Sequence, residues 1–151
     1  MTTNLEHQLN RIVERKSRAT HLDILLQGYT LYARTEGKSR STISITATAV
    51  TSFTHFLSAK GFPTDVTEIG YQEIREFILH LQSVKAYGRH PFTSQLDRGL
   101  SGHTINCYLR SLRAFWSWLV RDEILLSSPF AKIRIPKAPR KVIPTFSESQ
   151  L

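Results

Sequence analysis

Between Ser101 and Arg121, the residues Ile105, Tyr108, Leu109, Leu112, Phe115, Trp116 and Leu119 recur every three or four positions. At about 100° per residue they fall on one wide face of an α-helix, and a stripe that broad has to be covered from several sides. This segment commits the chain to a helical core with other helices packed round it, and three further segments supply them. From His21 to Glu36, Leu22, Leu25, Leu26, Tyr29, Tyr32 and Ala33 keep helical spacing, and Gly37 follows as a helix-ending glycine. In YQEIREFILHLQSVK the apolar positions are Ile74, Phe77, Ile78 and Leu81. The stretch from Ser41 to Lys60 reads two ways. Ile43, Ile45, Ala47 and Ala49 alternate among β-branched residues as in a strand, whereas Val50, Phe53, Phe56 and Leu57 form a helical stripe. A lone strand would have no partner here, so one helix is expected, capped by Ser41 and ended by Gly61.

The ends have a different texture. Residues 4–17 place Leu5, Leu9, Ile12 and Val13 at helical spacing among charges, as a short amphipathic helix or a frayed arm. AYGRHPFTSQLDRGL reads as a loop. Beyond Ser127, Pro129, Pro136, Pro139 and Pro144 preclude a long helix, and KIRIPKAPRK holds five basic residues and no acid. That composition suits an extended basic linker. In FSESQL, Ser147 and Gln150 have the spacing of a capping box. No internal repeat is evident. The expected architecture is all-α, a small bundle of four to five helices over residues 21–131, with an arm over 1–20. A linker over 132–144 leads to the opening of a further domain at 145–151.

Twenty Lys and Arg against 12 Asp and Glu leave a net charge of +8, which points to a polyanion, either nucleic acid or an acidic membrane. With one cysteine, Cys107, no disulfide can close within the chain and a Cys-based zinc site is excluded. No apolar run reaches the roughly 18 residues of a membrane span, and residues 1–20 lack the apolar centre of a secretory signal. A cytoplasmic setting is expected. The six histidines form no H-E-x-x-H pattern, and neither a nucleophile elbow nor a Gly-rich phosphate loop occurs. Asp122 and Glu123 are adjacent and diverge on a helix. No catalytic, cofactor or metal-binding residue is expected.

Three basic surfaces remain. Opposite the apolar stripe of the last helix, His103, Asn106, Arg110, Arg113, Ser117 and Arg121 share a narrow sector. An α-helix fits the major groove, where Arg reads guanine, Asn reads adenine, and either holds phosphate; the plain reading is a solvated polar face. In GKSRST, Lys38 and Arg40 stand beside Ser39, Ser41 and Thr42 at a helix start, either a phosphate clamp or an ordinary capped turn. Lys132, Arg134, Lys137, Arg140 and Lys141 either track a nucleic-acid backbone or form a solubilising tether.

The order of these motifs resembles the core-binding domain of tyrosine recombinases of the Xer and phage-integrase type. GKSRSTI with FTHFLSAKGF looks like its opening, and DVTEIGYQEIREFILHL like its third helix with the lead-in. SGHTINCYLRSLRAFWSWLVRDEILLSSPFAKIRIPK resembles its last helices, and KVIPTFSESQL the start of the catalytic domain. Thr46 where the family has an aromatic, the long segment from Lys85 to Leu100, and Ser128-Pro129 in place of Asn-Pro depart from the pattern. The resemblance implies a SAM-like helical bundle forming half of a C-shaped clamp on double-stranded DNA. It further implies a catalytic domain of its own, other recombinase protomers as partners (a tetramer in the parent complex), and a nucleoid-associated, bacterial or phage-derived setting. The family's second and fourth core-domain helices face DNA, which singles out Lys38, Arg40, Ser41, Thr42, His103, Asn106, Arg110 and Arg113, with Lys132, Arg134 and Lys137 in support. No histidine is followed by Arg three residues on, and the last tyrosine, Tyr108, lies in the apolar stripe, so this chain alone is expected not to cleave DNA. The rival expectation is a helical protein-interaction module whose basic charge is incidental.

Overall fold

The computed structural model describes residues 3–84 and 100–135. Among them are five α-helices and no strand: α1 (Asn4–Arg18), α2 (Leu22–Thr35), α3 (Arg40–Lys60), α4 (Tyr71–Ser83) and α5 (Gly102–Arg121), followed by a 3-10 turn at Pro129–Lys132. The fold is all-α, as the periodicities indicate. The segment AYGRHPFTSQLDRG, Lys137, Arg140, Lys141 and the FSESQL end lie outside the described residues.

Local chemistry explains where each helix starts and stops. α2 ends at a left-handed Gly37 (φ 73°), where the Lys38 N–H reaches the Ala33 carbonyl at 3.0 Å. Gly61 (φ 74°) closes α3 in the same way, with Phe62 N–H on the Leu57 carbonyl at 2.8 Å. Each pairs a carbonyl that the helix end would leave bare. The cap of α3 is Ser39, not Ser41: its Oγ accepts the Thr42 N–H at 3.1 Å, so the helix begins two residues earlier than expected. α4 starts at Gly70, whose N–H donates to Glu73 Oε2 at 2.9 Å.

The strand-like first half of α3 is helical. Alternation would bury Ile45 with Ile43, but Ile45 is 52% exposed while Ile43, Thr46, Ala49, Val50 and Phe53 turn inward. Threonine suits this position because its hydroxyl bonds back along the helix, Thr46 Oγ1 to the Thr42 carbonyl at 3.2 Å and Thr54 Oγ1 to Val50 at 2.8 Å. Thr46 thereby sits in the core without an unmet hydroxyl.

α5 is the spine. Its Trp116, Phe115, Leu112, Leu109 and Leu119 are fully buried, and its aromatic rings meet those of α2, α3 and the outgoing turn. Phe115 lies 5.6 Å from Tyr29, Trp116 lies 5.7 Å from Phe53 and 5.5 Å from Phe130, and Phe53 lies 4.9 Å from Phe77 of α4. α3 and α5 also repeat one another. Both open on Ser-x-x-Thr-Ile (SRSTI and SGHTI), and Val50, Phe53 and Leu57 hold the register of Leu112, Phe115 and Leu119. The repetition is easily missed because the identical residues, Ser39/Ser101, Thr42/Thr104, Ile43/Ile105, Phe53/Phe115 and Leu57/Leu119, are scattered along the two helices.

Candidate nucleic-acid interface

The two matched helix starts lie side by side. Ser44, Ile45, Thr48 and Ala49 of α3 and Thr104, Cys107 and Tyr108 of α5 line one shallow groove. At the head of α3, Lys38, Arg40, Ser41 and Thr42 are all exposed. Ser39 Oγ takes the Thr42 N–H and donates to Thr42 Oγ1 at 2.9 Å, leaving the N–H groups of Arg40 and Ser41 directed out of the helix end. α5 begins with the same device, Thr104 N–H on Ser101 Oγ at 3.2 Å and the two hydroxyls 3.0 Å apart. His103 and Arg110 are exposed on the outward strip of α5, with Cys107 Sγ 3.9 Å from His103 Nε2. Among the described residues no carboxylate pairs with Lys38, Arg40, Arg110 or Arg113. Lys38 and Arg40 stand beside the hydroxyls and helix-end N–H groups at the head of α3.

The expected basic sector of α5 does not survive as one surface. Asn106 is only 4% exposed and is engaged within the protein, so it is not on the open face. Its direction from the helix axis falls among those of exposed Arg110 and Arg113, so its burial comes from what covers it at that level of the helix and not from the apolar stripe. Arg113 is exposed but lines a different hollow, with Ser117, Ser128, Phe130 and Ile133, beside the outgoing chain. Arg121 is held by α2, donating to Tyr32 Oη at 2.6 Å. The outgoing chain is itself attached to the bundle. Phe130 and Ile133 are buried, while Lys132 and Arg134 point outward. Lys132 Nζ lies 5.4 Å from the centre of the Tyr71 ring, which Arg75 also approaches at 5.0 Å.

Residues 25–126 match the pattern of the phage integrase N-terminal SAM-like domain, which spans most of the helical body. The chain belongs to this family. The SAM-like domain is 27% identical to tyrosine recombinase XerC of Bacillus pumilus over 108 residues, covering 72% of this chain and 30% of that protein. It is 26% identical over 112 residues to XerC of Bacillus licheniformis (68% and 37%), and 31% identical over 85 residues to XerC of Xanthomonas campestris pv. campestris (56% and 22%). The chain therefore spans about a third of the length of the curated relatives it matches. No solved structure matches it.

Within this SAM-like domain the helix start at Ser101 is where the sequence put it. What the sequence did not reveal is the Tyr71–Arg75–Lys132 cluster, formed across the fold, with no local signal. Among the described residues no helix is long and apolar enough to cross a membrane, and no group of three or more His, Cys, Asp or Glu is placed to hold a metal ion.

Proposed function

We propose that this domain is the DNA-clamping, non-catalytic part of a site-specific tyrosine recombinase or integrase. It grips the duplex through the heads of α3 and α5, and acts in the cytoplasm at the nucleoid. The observation that carries this reading is the pairing of two identically capped helix starts beside one groove, with Lys38 and Arg40 exposed at the head of α3 and His103 and Arg110 exposed on α5, in a member of the integrase SAM-like family. Exposed cations beside free helix-end N–H groups fit phosphates, and an exposed helix strip fits a groove. Ser41 and Thr42 add hydroxyl donors. Arg113, Lys132 and Arg134 extend the charge along the outgoing chain, and Lys137 continues it in sequence. Asn106 takes no part. The partners in this reading are double-stranded DNA, a catalytic domain in the parent protein, and further recombinase protomers, assembled as a tetramer on the recombination site.

Fluorescence anisotropy of a labelled duplex, titrated with the chain at several salt concentrations, tests the reading. Binding with a log–log salt slope equal to several phosphate contacts supports it. Absence of binding at low salt sinks it and leaves the interaction-module reading, which the exposed apolar residues of α1 favour. Specific nicking of duplex DNA by the pure chain without metal would overturn the non-catalytic assignment.

A further inference from the structure

Ile45 is 52% exposed on a helix that already buries Ala49, Val50 and Phe53. Its place is set by the likeness of α3 to α5. Ile45 and Cys107 stand at equal distances from the matched caps Ser39 and Ser101, and both line the groove between the two helices. Ala49, half-buried Tyr108 and Thr48, which carries a methyl, help to make the wall of that groove predominantly apolar. The hollow holds about 210 Å³ and is shallow, so it suits a small protruding group and not an enclosed ligand.

Basic residues adjoin this apolar spot on both helices. Arg40 precedes the groove residue Ser44 by one turn of α3. On α5, His103 precedes Cys107 by a turn, its Nε2 3.9 Å from Sγ, and Arg110 follows Cys107 by a turn. Residues three or four apart share a side of a helix, so the occupant of the groove meets positive charge and has to complement it. That occupant is polyanionic and displays a small apolar group. An anionic bilayer would ask for a broad apolar face, whereas Ile45 alone among the groove residues is large, apolar and exposed. An RNA helix withdraws its base edges into a deep, narrow major groove, and uracil has no C5-methyl. The major groove of B-DNA sets the thymine C5-methyl between two lines of phosphates.

We propose that Ile45 is a specificity-determining residue: the α3–α5 groove receives the C5-methyl of a thymine in the DNA major groove, and Ile45 is its principal apolar contact. The inference rests on the DNA-grip reading above and adds a base preference to it. Cations hold phosphates whatever the sequence, whereas a methyl contact separates a T·A pair from every other pair at that position.

The test begins by selecting random-core duplexes for retention by the full chain. The recovered sequences are resynthesised with each thymine in turn replaced by deoxyuridine, which removes the methyl alone. Anisotropy at one salt concentration is expected to find a thymine whose replacement weakens binding about fourfold, the effect of burying a single methyl group. Ile45→Ser, at an exposed position, is expected to keep the helical circular dichroism and the salt slope. It is expected to bind the thymine and deoxyuridine duplexes alike. Equal affinity of the unsubstituted chain for both, with a steep salt slope, would overturn the thymine assignment and leave the grip standing. A thymine preference that survives Ile45→Ser would overturn the role of Ile45. No duplex binding at low salt would remove the grip itself, and this inference with it.

Discussion

Arg110 and Arg113 are one turn apart on α5, yet they face different surroundings, and that difference governs what substitution does. Arg110 is on the open strip with His103, whereas Arg113 borders the hollow under the outgoing chain. If both hold phosphates, replacing the pair with alanine makes the log–log salt slope of duplex binding shallower by about 2, read by anisotropy titrations. An unchanged affinity and slope would mean that the strip is merely solvated. Asn106→Ala is expected to behave oppositely. Its amide is buried and engaged, so removing it leaves a partner unmet, at a cost of about 1–3 kcal/mol in urea unfolding and with no change in salt slope. The sequence made the angular position of Asn106 legible but not its burial. Helical spacing gives a direction from the axis, and whether that direction is covered depends on neighbours from distant parts of the chain.

The helices themselves were largely legible. Apolar spacing located α2, α4 and α5, and Gly37 and Gly61 marked two ends because only glycine takes a left-handed backbone freely. The third such end was hidden. Glu123 adopts φ 60° after α5, where Glu123 N–H reaches the Val120 carbonyl and Ile124 N–H the Leu119 carbonyl. A side chain in that conformation costs about 1–2 kcal/mol, partly offset by the greater chain entropy of glycine. Glu123→Gly is therefore expected to stabilise the protein by up to about 1 kcal/mol, measurable as a rise in Tm. The reading of α3 as a helix was correct, but its start was misplaced. Ser39 and Ser41 are equally good caps by residue type, and the Gly37 turn fixes which one is reached. Ser39→Ala and Ser101→Ala should each cost about 1 kcal/mol, whereas Ser41→Ala should cost little.

At the scale of the molecule, two clasps tie the helices together, and neither has a sequence signature. One joins the start of α2 to the loop before α4. His21 Nδ1 lies 3.0 Å from Thr64 Oγ1, and Asp65 Oδ1 accepts from the Thr67 N–H at 2.9 Å and its hydroxyl at 2.7 Å. Partial burial pushes the Asp65 carboxyl upward, but these hydrogen bonds, with the Thr20 hydroxyl and nearby His21, outweigh it and hold the carboxyl below its ordinary 3.8. A group held low in the folded state contributes its full stabilisation above the unfolded value and loses it as pH falls through the folded one. Unfolding midpoints should therefore drop on acidification below pH 3.8, and Asp65→Asn should flatten that part of the profile. The second clasp is the outgoing turn. Phe130 packs on Trp116 at 5.5 Å, so Phe130→Ala is expected to cost about 3–5 kcal/mol in urea unfolding, where a free linker residue would cost nothing. With Ile133 also buried, the described chain ends fastened to the bundle at residues 130–133, away from the end of α5. Each residue tied down takes about 3.5 Å of slack from the tether. In the proposed recombinase reading, the volume that a catalytic domain tethered here would sweep shrinks with the cube of its reach, so its concentration near this face would rise without any new contact between the two.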